Sequence, residues 1–176
     1  LADVPGVEAA SATLQPGAAT GSSDVEFELR AARKLSGVVE LDNFGNRYTG
    51  RERVAAQVQL VNPDGWGELL DLRLVSSGSE LLSARFNLQA TPLPYGWKVG
   101  ATVAAMQYEL GDAFADLDAK GRARTLGLYG LYPLRRTQRA NVYMQLLAEY
   151  KDLTDRVLGD TTEKNSRALS LLLSAD

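Results

Sequence analysis

From Leu35 onward the chain alternates apolar and polar residues in segments of roughly ten, broken by clusters of Gly, Pro, Asn, Asp and Ser. This is the pattern of strands joined by turns. Successive side chains of a strand point to opposite sides, so in Arg53–Val61 one face holds Val54, Ala56, Val58 and Leu60 and the other Arg53, Ala55, Gln57, Gln59 and Val61. In Leu81–Ala90, likewise, Leu82, Ala84, Phe86, Leu88 and Ala90 oppose Ser83, Arg85, Asn87 and Gln89. A third apolar row is Trp97, Val99, Ala101, Val103 and Ala105. Adding residues 35–43, 68–76, 122–134, 141–150 and 167–175 predicts an all-β, antiparallel up-and-down meander of about eight long strands. That is the whole of a small barrel, or half or less of a large one.

The connections predict an asymmetry. Asn62-Pro63-Asp64-Gly65-Trp66-Gly67, residues 91–96 and residues 133–138 read as short turns, whereas residues 111–121 and 151–166 read as longer polar loops. Short turns on one side and long loops on the other are the habit of transmembrane barrels. Trp66, Tyr95, Trp97 and Tyr132 fall at the short-turn ends, where an interfacial aromatic girdle would sit, although aromatics also close soluble barrels. A soluble barrel points its apolar face inward and a membrane barrel points it outward, so alternation alone does not choose between them. Before residue 34 the text changes: residues 7–14 and 24–30 read as two strands after a helix-ending Asp3-Val4-Pro5-Gly6, too little to bury a core.

Composition narrows the functions available. The chain has 176 residues, 19 basic and 22 acidic, a net charge of -3, and neither histidine nor cysteine. Disulfides, thiolate or Ser-His chemistry and the usual zinc ligands are thereby absent, and no basic stripe marks a nucleic-acid surface. No run approaches the ~20 apolar residues of a membrane helix, and the start lacks the build of a signal peptide, reading as the interior of a longer chain. Glu109, Asp112, Asp116 and Asp118 lack calcium-loop spacing and read as a solvated acidic loop. No nucleophile with a base and no convergent carboxylate pair is recognisable, so neither an enzyme, nor a cofactor, nor a small-molecule substrate is expected.

Three blocks carry a resemblance. Leu41-Asp42-Asn43-Phe44-Gly45-Asn46-Arg47-Tyr48-Thr49-Gly50 resembles the L-D-N-x-G-x-R-x-T-G opening of the barrel in two-partner secretion transporters, the haemolysin-activator and haemagglutinin-secretion family. Asn62 through Leu70 is similar to that family's N-P-x-G-x-G-D-x-L periplasmic turn. Asp3-Val4-Pro5-Gly6-Val7, Leu14-Gln15-Pro16-Gly17 and Ser23-Asp24-Val25 look like the end of its second POTRA domain. The blocks stand in the family's order and spacing.

The resemblance implies residues 1–33 as the C-terminal remnant of a periplasmic POTRA domain. It also implies residues 34–176 as the first half of a sixteen-stranded outer-membrane barrel that exports a large exoprotein in unfolded form. The family's V-R-G-Y/F loop is expected beyond residue 176. Arg53, Gln57, Gln59, Asp71, Arg73, Arg85, Asn87 and Gln89 are then candidate pore-lining residues, whose mixed charge and amides suit an extended polypeptide without an apolar trap. Outer-membrane lipid would meet the apolar rows. Asp42, Asn43, Gly45, Arg47, Thr49 and Gly50 form the first hairpin motif, read foremost as turn geometry, and Asn62, Pro63, Gly65 and Gly67 the periplasmic turn. A barrel-assembly factor of the same superfamily and a closed eight-stranded ligand-binding barrel are the alternatives. The latter requires its last strand to pair with its first.

Overall fold

The computed structural model describes residues 5–19, 21–78, 80–92, 96–137 and 140–175. Ten strands follow in order: β1 (Val7–Pro16), β2 (Ser23–Ala31), β3 (Leu35–Asp42), β4 (Arg53–Val61), β5 (Leu69–Ser76), β6 (Leu81–Ala90), β7 (Lys98–Glu109), β8 (Lys120–Arg136), β9 (Asn141–Val157) and β10 (Asp160–Ala175). One 3-10 turn, Asp112–Leu117, lies between β7 and β8. β1 and β2 pair with each other, while β3 to β10 form one antiparallel sheet in chain order. Among the described residues the ladder ends on β3 and β10 without joining them, which removes the closed eight-stranded alternative.

The meander matches the expected one, but two connections do not. Residues 151–166, expected as a polar loop, continue β9 and β10, which pair from Val142↔Ala175 to Val157↔Asp160 and turn only at Leu158 and Gly159. Pro133, expected in a turn, lies within β8 opposite Tyr143, beside a register irregularity before Arg135. A bulge is where a strand can hold a residue with no N–H to donate. The expected sorting of short and long connections holds only in part: the three short ones share one end, but the other end mixes long with tight. One end of the sheet, here the near end, carries residues 62–68, 91–97 and 137–140. The far end carries residues 43–52, 77–80, 110–119 and 158–159, the longest connections together with the tightest. Asp3, Val4, Tyr95 and Gln138 lie outside the described residues.

No apolar core lies beneath the sheet. Among the described residues the buried hydrophobics are Ala55 and Ala119, whereas Val39, Leu128 and Leu169 are 70%, 55% and 74% exposed. The apolar rows are uncovered because the eight strands make one layer, and none of the described residues packs on their apolar side. Near the far end of β8, Gly121 and Gly127 are buried and Ala123 and Thr125 partly so, while Arg122, Arg124, Leu126 and Leu128 between them are exposed. Burial therefore follows the face carrying polar and small residues. That face is the crowded, concave one, and the apolar face is convex.

The apolar band also slopes across the sheet. One ladder row runs Gly37, Val58, Leu72, Phe86, Val103, Leu126, Tyr150, Arg167. It crosses the middle of the apolar run on β5 and β6 and has climbed out of it by Arg167. The drift is about one residue per strand, which at about 3.4 Å rise and about 4.8 Å strand spacing corresponds to a tilt of roughly 35°. On β9 the apolar positions from Val142 to Tyr150 extend ~27 Å, or about 22 Å along the normal at that tilt, close to the height of a bilayer-facing band.

Candidate functional site

The register puts Arg53, Gln57, Gln59, Asp71, Arg73, Arg85, Asn87 and Gln89 on the concave face, in adjoining rows: Gln57 opposite Arg73, Gln59 opposite Asp71, Asp71 opposite Asn87, Arg73 opposite Arg85. Gln57, Asp71 and Arg73 bond one another, while Arg53, Asn87 and Gln89 find partners outside the set. Gln57 Nε2 donates to Asp71 Oδ2 at 2.5 Å, and Arg73 Nη1 donates to Gln57 Oε1 at 3.3 Å. Arg73 also approaches Glu40 at 3.6 Å. Arg53 grips Asp42 with two hydrogen bonds, 2.9 and 3.1 Å, so a hairpin-motif residue and a wall residue form one unit. Gln59 and Arg85 make no side-chain bond among the described residues.

The same register extends this wall to positions that alternation on β4 to β6 did not reveal. Thr102 donates to Asn87 at 2.8 Å. The Tyr129 hydroxyl lies 3.4 Å from both Asn87 Oδ1 and Gln89 Oε1, two strands away. It spans β7 because Gly100 lies between, where a Cβ would overlap the Tyr129 ring. Tyr108 makes the same move across Gly121 to donate to Asp155 at 3.2 Å. A ring laid over a neighbouring glycine lets a wide side chain lie flat on a concave surface. Glu149 and Lys151 add an ion pair of 2.8 Å on β9. The signal in the sequence was the run of glycines on the concave parity of β7 and β8, legible only once strands are paired.

At the far end the first hairpin motif braces loops that are distant in sequence. Asp42 Oδ1 accepts from Phe44 N and Asn46 Oδ1 from Tyr48 N, both at 2.9 Å, which shapes the turn. Arg47 then reaches Asp112 at 2.8 Å, Tyr48 O accepts from Gly111 N at 2.8 Å, and the Tyr48 and Phe114 rings stack edge-on at 4.7 Å. Thr49 O accepts from Ser77, and Gly50, at φ 88°, leaves room for Ser77 where a Cβ would collide. The motif thus links the 43–52 hairpin across β5 and β6 to the 110–119 segment, a chord that holds the curvature. Of the acidic residues in that segment, Asp112 is taken by Arg47, and Asp118 and Glu109 by Lys120 at 3.0 and 3.5 Å. The hydrogen bond to Asp118, with that carboxylate's charge and then Glu109's, holds the Lys120 ammonium above its ordinary pKa.

At the near end Asn62, at φ 50°, accepts through Oδ1 from Gly67 N at 2.8 Å, with Gly65 and Gly67 also at positive φ. Pro63 follows Asn62 in this turn. Gly6 lies directly on the Asn62 side chain, so the β1–β2 hairpin abuts this end. Trp97 and Tyr132 stack at 4.4 Å at the near-end rim of the apolar band, and Trp66 is exposed beside it. At the far-end rim the Arg167 guanidinium lies 6.0 Å from the Tyr150 ring. Both rims thus carry amphipathic aromatics, where an apolar band meets a polar layer.

A tilted, curved antiparallel sheet with an apolar convex face and a hydrogen-bonded polar concave face is a segment of transmembrane β-barrel wall. The model of the family described as "Haemolysin secretion/activation protein ShlB/FhaC/HecB" matches residues 21–173, and the chain belongs to that family of outer-membrane secretion proteins. The heme/hemopexin transporter protein HuxB of Haemophilus influenzae is 33% identical over 175 residues, 99% of this chain but 31% of the relative. The chain thus spans about a third of the curated relatives it matches. Among solved structures, CdiB from Escherichia coli superposes with a TM-score of 0.82 at 17% identity, over 96% of this chain and 33% of that one. BamA from Haemophilus ducreyi lacking POTRA domains 1–3 gives 0.63 at 13% identity, over 96% and 35%. These structural likenesses speak for the fold, and the family match speaks for the secretion branch over barrel assembly.

Proposed function

We propose that this chain is the first half of an outer-membrane pore that secretes a large haemolysin- or adhesin-type exoprotein in unfolded form. The observation that carries the reading is the division of faces: a convex apolar band and a concave polar wall within a secretion-family sheet. In this reading β1 and β2, residues 1–33, close a POTRA domain in the periplasm, which makes the near end periplasmic and the far end external. Residues 34–176 continue into further strands that complete sixteen. Arg53, Gln57, Gln59, Asp71, Arg73, Arg85, Asn87 and Gln89 line the passage.

The internal pairing of most wall residues makes them a smooth polar surface, while Arg85 and Gln59 are free to exchange transient hydrogen bonds with a passing backbone. Passage needs weak, repeated contacts in place of one tight site. The wall acts as a conduit and catalyses nothing. The name of the Haemophilus relative refers to haem and hemopexin. This part of the wall has neither histidine nor cysteine.

The test uses single cysteines in the full-length protein, since this chain contributes none. Asn87→Cys should react with a charged, membrane-impermeant maleimide and become protected when a secreted partner is stalled in the pore. Phe86→Cys should react only with a lipid-soluble reagent. Equal labelling of both by the charged reagent, or no protection of Asn87→Cys by cargo, would sink the proposal.

A further inference from the structure

We propose that the convex face of β8 to β10, at the far-end rim of the apolar band, binds a lipid headgroup carrying more than one phosphate through Arg122, Arg124 and Arg167. The inference rests on the lipid-facing convex band and is independent of what the pore exports. On β8 the outward positions change from Leu128 and Leu126 to Arg124 and Arg122, and on β10 from Leu169 to Arg167. All three arginines are exposed, and none forms an ion pair among the described residues. The acidic residues of the same face are Glu109, Asp118, Asp152 and Glu163. Lys120 takes up the first two. Asp152 lies directly opposite Arg124, and with Arg156 and Lys120 the face sets five cations against four carboxylates, a net excess of one positive charge just beyond the band.

Two grooves run down from this cluster into the apolar band. One, of about 290 Å³, lies below Arg122 and Arg124 and is lined by Leu82, Ala84 and Ala105. The other, of about 430 Å³, lies below Arg167 and Tyr150 and is lined by Leu126, Leu128, Ala148 and Leu169. An acyl chain fits each groove and an anionic head the guanidinium above it. Arg124 and Arg167 stand two strands and about two residues apart, roughly 12 Å at standard sheet spacings. At that backbone spacing each guanidinium has room to hold a phosphate of its own. Guanidinium groups prefer phosphate because their fork of donors matches two of its oxygens at once.

The experiment uses the full-length protein in phosphatidylcholine nanodiscs titrated with bis-phosphorylated lipid A, with retained lipid counted by native mass spectrometry. The triple variant Arg122→Gln, Arg124→Gln, Arg167→Gln should bind lipid A at least about tenfold more weakly. Arg124→Gln alone should fall between, and Lys164→Gln on the concave face should match the parent. Heat-modifiable gel mobility identifies the folded fraction to which the comparison is confined. Undiminished lipid A binding by the folded triple variant overturns the proposal, as does equal competition by inorganic phosphate, which would reduce the cluster to a simple anion site. Lipid-free dimerisation lost in the same variant also overturns it, because the face would then belong to a second copy.

Discussion

At the scale of single residues, the wall is shaped by what is missing as much as by what is present. Tyr129 reaches Asn87 and Gln89 because Gly100 leaves its ring a bed. Gly100→Ala should therefore destabilise the full-length barrel by about 1–3 kcal/mol through overpacking. Tyr129→Ala should cost a comparable amount through lost packing and the loss of the one hydrogen bond its hydroxyl shares between the two amide oxygens. If the ring and the glycine are partners, the double variant should be less damaged than the sum, with a coupling of about 1 kcal/mol or more. The urea midpoint of barrels folded into vesicles reads all three, and strict additivity would refute the partnership. Alternation puts Asn87 and Gln89 on the polar face of their strand but gives no sign of Tyr129. The reason is physical: a contact that skips a strand depends on pairing register, which no single segment encodes.

At the scale of elements, the strands were legible wherever one face is apolar and the other polar. Residues 35–107 alternate because lipid-side and wall-side environments differ, and their expected strands match the observed ones to within a residue or two. The far halves of β9 and β10 rise past the band, where both faces carry polar residues such as Lys151, Asp152, Glu163 and Lys164. The alternation disappears there, and the segment reads as a loop. The turn that joins them was hidden for a second reason. Leu158 and Gly159 have φ of 53° and 91°, the signs of a type I′ turn, yet leucine is a poor occupant of that conformation. Leu158 is 69% exposed, so its side chain contributes little packing in return. Leu158→Asn should keep the Leu158 N to Leu117 O bond and stabilise the barrel by about 0.5–1 kcal/mol. A urea midpoint that stays put or falls would show that the turn is held by its neighbours and not by its own dihedrals.

At the scale of the whole molecule, the slope of the apolar band turns a static description into a depth gauge. The row from Leu72 through Phe86, Val103, Leu126 and Tyr150 to Arg167 follows continuous hydrogen-bonded pairing. All six positions share the convex face, and local strand geometry barely distinguishes them. A flat, untilted sheet would hold them at one depth in the bilayer. A sheet tilted by about 35° carries them from mid-band to the polar rim, where the native residue is already arginine. Arginine placed singly along this row should therefore cost about 2–4 kcal/mol at Leu72 and Phe86, less at Val103 and Leu126, and about 0–1 kcal/mol at Tyr150, after the depth dependence of lipid-facing charges. Arginine at the neighbouring concave positions Arg73 and Arg85 is native, so the cost belongs to the face and not to the strand. Folding free energies of the full-length variants in vesicles give the profile directly. A uniform penalty along the row would mean that the strands stand upright. A penalty rising toward Tyr150 would place the band the other way up, and a profile falling toward Tyr150 requires both the tilt and a lipid-facing convex side.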